Sequence, residues 1–219
     1  MKGLVLNQYY SVGKSLWNYI ALSVVITAIL LFTQNEMLMQ FAAWLPLFFM
    51  ITPALEVLKH ESMSGWSKFV LTLPLKRREV VQSHYLFYSM MIIIGLIITV
   101  ALFMVADSII GQVMTDSTVY KMMNGVGLVL IAGLLNYPLT YQLGTEKSDG
   151  ILVFSIMAAV GAFLLSSWLF EILLGTVSLD ALQGMNLDML FSGSFLAVSL
   201  VLFIASYVIA LYVFKRKEF

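Results

Sequence analysis

Charged residues in this chain leave six long gaps, and the gaps predict the architecture. They run over Ser15–Asn35, Met37–Leu55, Val80–Ala106, Met122–Thr145, Gly150–Phe170 and Met189–Phe214, with lengths of 21, 19, 27, 24, 21 and 26 residues. The next longest uncharged interval, Gly3–Gly13, has only 11. Hydrocarbon about 30 Å thick is crossed by about 20 apolar residues of helix, and a charge at mid-depth costs roughly 3 kcal/mol or more. The pattern predicts an all-α membrane protein of one domain over 1–219. Its six transmembrane helices are placed at about 17–35, 38–58, 84–106, 123–143, 150–170 and 191–214.

Two segments are periodic without being long enough to cross. Before the first span, Leu4, Val5, Tyr9, Val12 and Leu16 share a helical face, with Lys2, Asn7, Gln8 and Lys14 largely elsewhere. This predicts an N-terminal amphipathic elbow helix lying along the inner surface. Between spans two and three, Trp66, Phe69, Val70 and Leu73 recur at i, i+3, i+4 and i+7. They predict a one-faced helix stopped by Pro74, which cannot continue the hydrogen-bond ladder. Lys76, Arg77 and Arg78 follow, then Glu79. On spacing alone, an interfacial helix with its basic cluster on anionic lipid is the simpler reading. The competing one is a docking element that presents an apolar face to a partner protein.

The basic residues orient the spans. With both termini inside, 11 of the 12 lysines and arginines fall on inner segments, and only Lys121 lies outside. The positive-inside rule therefore predicts cytoplasmic termini. The outer segments hold Glu36, Asp107, Asp116, Glu171, Asp180 and Asp188, which is consistent but weighs little in the rule. Trp17, Tyr19, Trp168, Tyr207 and Tyr212 stand near span ends and read first as headgroup anchors. Composition adds exclusions: 61% of residues are hydrophobic, 11% are charged and the net charge is zero, with mean hydropathy +0.95. No basic excess suggests nucleic acid. The absence of cysteine rules out disulfides, thiol catalysis and thiolate metal sites. The first apolar run is long and lacks a small-residue cleavage site, so it reads as a retained helix.

The cytoplasmic run resembles a known loop. Glu61, Trp66, Leu73, Pro74, Arg77, Glu79, Val81 and Tyr85 fit the loop of ABC-2 type permeases, where an acidic residue and a Trp precede Leu-Pro, then a basic-acidic-Val run and a Tyr entering the third span. A Lys commonly precedes that Tyr, and His84 stands there instead. The elbow helix and six-span layout extend the likeness over nearly the whole chain. The resemblance implies a two-component bacterial exporter of the plasma membrane. Two six-span subunits pair as a homodimer or heterodimer, and separate ABC ATP-binding subunits dock beneath them. ATP and magnesium would be bound by those subunits and no cofactor by this chain. Within that family the chain looks most like membrane subunits that export amphipathic peptides, the phenol-soluble modulins. The loop would then be a coupling helix, with Glu61, Trp66, Phe69, Val70, Leu73, Pro74, Arg77 and Glu79 meeting the ATPase.

Missing chemistry narrows the alternatives. Gly13-Lys14-Ser15 lacks the glycine five positions earlier that a phosphate-binding loop needs, because Gln8 stands there, and no strand precedes it. The chain is not expected to be an enzyme. No charge lies at mid-depth of a span, and Glu56 sits near the inner end of span two, which disfavours proton coupling. His60 and His84 are 24 positions apart in the loop and read as solvated or hydrogen-bonded rather than metal-binding. Pro46, Pro53 and Pro138 set helix shape or act as hinges. Ser166, Ser167, Ser192, Ser194 and the pair Ala158/Ala162 read as close-packing positions. The expected function is export of amphipathic peptides or hydrophobic toxic compounds. The alternatives are a non-transporting membrane scaffold or immunity subunit, and a self-contained secondary transporter.

Overall fold

The structure is a computed structural model and describes residues 2–72, 74–111, 113–176 and 186–216. Leu73, Asp180 and Lys217 lie outside the described residues. Seven α-helices follow in order: α1 Lys2–Phe32, α2 Glu36–Met63, the single turn α3 Trp66–Phe69, α4 Arg77–Ile110, α5 Asp116–Leu143, α6 Ser148–Thr176 and α7 Leu187–Arg216. No strand occurs among the described residues. Six of the helices are long and apolar enough to cross a membrane. Each contains most of its predicted span and several extend past it, because helical hydrogen bonding continues into the polar ends where hydropathy no longer marks it.

The predicted elbow is not a separate helix. α1 runs unbroken for 31 residues, roughly 46 Å at about 1.5 Å per residue. No proline interrupts it, and its first half has its own packing partner. The buried stripe is Leu4, Gln8, Val12 and Leu16, so the inward face is turned away from Tyr9, which is exposed. Gln8 Nε2 donates to Ser83 Oγ at 2.9 Å, tying this half of α1 to α4.

α2 and α5 form the interior. Of their most apolar windows 67% and 61% are buried, against 22% for α1, α6 and α7. α5 achieves this with notches where glycine lets a neighbour's ring reach the backbone. A Cβ at Gly133 would stand 2.5 Å from Tyr88 of α4, and one at Gly127 would stand 2.5 Å from Phe195 of α7. α7 answers with alternating small and large residues on one face, Ser192, Phe195, Ser199, Phe203, Ser206, Ala210 and Phe214. Small side chains allow close helix approach where lipid gives no hydrophobic drive to associate.

On α6 the buried line is Ile151, Ser155, Ala159 and Phe163, so the small pair facing the bundle is Ser155/Ala159 rather than Ala158/Ala162. Ser166, Ser167 and Ser194 donate to carbonyls of their own helices instead of bridging neighbours, whereas Ser192 is buried. Pro46, Pro53 and Pro138 all lie inside continuous helices.

Candidate functional site

The turn between α2 and α4 is where sequence and structure converge. α2 ends because Gly65 adopts φ +74°, a left-handed conformation that costs glycine little. The Ser64 N–H bonds the His60 carbonyl at 3.0 Å and the Gly65 N–H bonds the Ser62 carbonyl at 3.2 Å, closing the last turn. The chain reverses into α3 at once, followed by a 3₁₀ turn over Val70–Thr72. The predicted two-turn helix is thus one α-turn and one tighter turn.

The predicted coupling residues divide into three groups. Trp66 and Phe69 lie side by side, ring centroids 5.5 Å apart, and Phe69 is 53% exposed, an unusual state for a phenyl ring next to a polar turn. Pro74 and Arg77 are exposed as well. Arg77 Nη1 donates to the Lys215 carbonyl at 2.9 Å, joining the start of α4 to the end of α7. Glu79 acts locally. Its Oε2 accepts the Lys76 N–H at 2.9 Å, satisfying a donor at the start of α4. Val70 and Glu61 face inward, at 1% and 5% exposure. Val70 therefore belongs to the core, one helical turn on from Trp66, which also packs against it.

Glu61 begins a buried polar chain. Its Oε2 lies 3.1 Å from His84 Nε2, and His84 Nδ1 lies 2.9 Å from the Tyr141 hydroxyl. The imidazole thus bridges the two, one ring nitrogen on the Glu61 carboxylate and the other on the Tyr141 hydroxyl. Burial raises the cost of losing either partner, since an unpaired buried polar group forfeits its solvation. The chain continues through aromatics. Tyr137 donates to the His84 carbonyl at 3.3 Å, Tyr88 donates to the Val129 carbonyl, and Tyr85 shares a 2.8 Å hydrogen bond with Ser206 of α7. Ser206 donates in turn to the Leu134 carbonyl of α5. One carboxylate at the loop is thereby linked to α4, α5 and α7.

A cleft of about 690 Å³ opens in front of this chain. Asn7, Tyr10 and Ser11 of α1 line it together with Glu61, Trp66 and Phe69. The α1 wall has no local signal in the sequence, since its polar residues read as the solvent side of an amphipathic helix. His84 carries one signal, its place where a Lys is usual, and an acidic residue 23 positions earlier supplies the partner. Two of the expected headgroup anchors also have specific partners. Tyr19 donates to Glu56 at 3.0 Å, and Tyr207 accepts from Arg78 Nε at 3.2 Å. Trp17, Trp168 and Tyr212 remain exposed, as anchors would be. Among the described residues no group of three or more His, Asp or Glu side chains is placed to hold a metal ion.

None of the curated proteins matches the chain. The family described as ABC-2 family transporter protein matches residues 3–215, from the first turn of α1 to the last turn of α7. With the match spanning all six long helices and the α3 turn between them, the chain belongs to the ABC-2 family of transporter proteins.

Proposed function

We propose that this chain is half of the membrane domain of a bacterial ABC exporter. It pairs with a second copy or a paralogue in the plasma membrane, with both termini cytoplasmic. Family membership makes it a multi-pass membrane permease and implies association with an ABC ATP-binding subunit. The proposal adds the direction and the load: amphipathic peptides or hydrophobic toxic compounds leave the cell, of the kind typified by phenol-soluble modulins. ATP and magnesium are bound by the partner, and this chain is not catalytic.

One observation carries the mechanism. Phe69 is exposed beside Trp66, which is half-buried against the core, and the pair lies within a few residues of Glu61, whose carboxylate is bonded into the bundle through His84 and Tyr141. A partner that grips the rings and moves would pull on that chain, and through it on α4, α5 and α7. Rigid, fully bonded links of this sort pass displacement on instead of absorbing it. Pro74, Arg77 and Glu79 follow at the exit of the turn, and Leu73 is proposed as a further contact for the partner.

The test uses two variants of the full complex. Trp66→Ala with Phe69→Ala should weaken co-purification with the ATP-binding subunit or abolish peptide-stimulated ATPase activity, while membrane insertion is unchanged. Truncating such anchors costs roughly 2 kcal/mol or more each at a protein interface. Neutralising Lys76, Arg77 and Arg78 should instead disturb contact with anionic lipid. Normal coupling in the aromatic double variant would defeat the proposal. Peptide-independent ATPase with no export would favour the scaffold reading.

A further inference from the structure

Two basic clusters far apart in sequence meet at one end of the bundle. Lys76, Arg77 and Arg78 open α4, and Lys215 and Arg216 close α7. The bond from Arg77 to the Lys215 carbonyl spans 138 positions and brings them together. The acidic side chain in the same turn, Glu79, is held on the Lys76 N–H. Arg78 reaches across to α7, its Nε donating to the Tyr207 hydroxyl. The guanidinium has five N–H donors, and the four on its outer nitrogens form the fork that fits phosphate.

A groove of about 290 Å³ runs between the two helices from this point. Its mouth is polar, formed by Arg78, Gln82 and Tyr207. Deeper it is lined by Tyr85, Leu86, Phe203 and Ile204, and by Ser89, whose hydroxyl donates to the Tyr85 carbonyl. Leu86 and Ile204 are 47% and 60% exposed, so the groove opens sideways toward hydrocarbon. Arg78 and Gln82 stand before the predicted start of span three, Tyr207 lies about two turns inside the predicted end of span six, and Leu86, Phe203 and Ile204 lie within the spans.

We propose that this α4–α7 groove binds an anionic phospholipid, with its phosphate on Arg78 at the Gln82 and Tyr207 mouth and an acyl chain along Leu86, Phe203 and Ile204. The occupant must carry negative charge and a hydrocarbon tail on one molecule. Free phosphate leaves the apolar half unused, and a zwitterionic lipid brings its own cation into a mouth already crowded with positive charge. Basic pockets between membrane helices bind anionic headgroups by the same chemistry. A lipid seated here spans α4 and α7, so it would brace the two helices that Tyr85 and Ser206 also join.

The test takes the full chain in detergent and titrates phosphatidylglycerol, phosphatidylcholine of the same acyl chains, and inorganic phosphate. Bound lipid is read by native mass spectrometry and stabilisation by thermal unfolding. Phosphatidylglycerol should be retained and should raise the unfolding temperature. Phosphatidylcholine should bind about tenfold more weakly, and inorganic phosphate should cause no shift. Arg78→Gln should weaken phosphatidylglycerol about tenfold, with Arg78→Lys losing less because charge remains without the fork. Ile204→Trp fills the groove and leaves every charge in place, and it should weaken the same lipid to a similar degree. It also decides the matter if Arg78→Gln does not fold. Equal binding of the two lipids, a shift with phosphate alone, or phosphatidylglycerol binding unaltered in Ile204→Trp would overturn the proposal.

Discussion

Replacing His84 tests whether the buried chain behind the coupling turn is a single unit. His84→Ala would leave the Glu61 carboxylate, 5% exposed, without its ring nitrogen partner, and would remove the bond between His84 and Tyr141. Breaking a buried carboxylate pair by removing one partner costs roughly 3–5 kcal/mol, because the survivor keeps its desolvation penalty. Glu61→Ala should cost less, since a neutral imidazole can still bond Tyr141. The double variant should cost far less than the sum, as no charge is then stranded. The expected coupling energy is about 2 kcal/mol or more. His84→Lys places a cation opposite Glu61 but has no second ring nitrogen to meet Tyr141. The assay is unfolding of the purified chain in detergent by heat and by denaturant, with export measured in the same variants. If the two single losses add within about 0.5 kcal/mol, the residues do not interact and the transmission mechanism fails.

Other consequences are as direct. Gly133→Ala should destabilise the bundle by about 1–3 kcal/mol through its clash with Tyr88, and Tyr88→Leu in the same chain should recover much of the loss. If it does not, the notch is not close-packed. Lys59→Ala should change stability by no more than about 1 kcal/mol, because its 2.7 Å pair with Asp149 is solvent-exposed, and thermal unfolding decides it. Cysteines placed singly at Asp116, Lys147 and Ser67 in this cysteine-free chain should react with an impermeant thiol reagent on intact cells only at Asp116. Labelling at Lys147 or Ser67 would reverse the orientation. The isolated chain in liposomes should show neither ATPase activity nor proton-driven transport, and uptake abolished by changing Glu56 would favour the secondary transporter.

The six spans are legible in the sequence because exclusion of charge from hydrocarbon is a coarse constraint that acts on some twenty residues at once. The α1 face is not. Tyr9 looks apolar enough to point inward, yet Gln8 is the buried residue, its amide nitrogen bonded to Ser83 on a distant helix. The turn after α2 is legible as a helical, proline-terminated element. Spacing groups Val70 with Trp66 on one face but does not say that this face is turned to the bundle, with Phe69 left exposed. Glu61 and His84 both stand out in the sequence, one as a docking residue and the other as a departure. Their pairing needs two helices brought side by side, which no local pattern encodes.

The bond between Tyr85 and Ser206 joins residues 121 positions apart. At about 5–20 residues per second of synthesis, Tyr85 waits roughly 6–24 s for its partner to be made. For most of that interval α4 is complete while α7, which packs on both it and α5, is not. Quality control at the membrane therefore meets a chain whose polar groups are complete only after the last helix arrives, and a ribosome that stalls before α7 leaves the Tyr85 hydroxyl without Ser206.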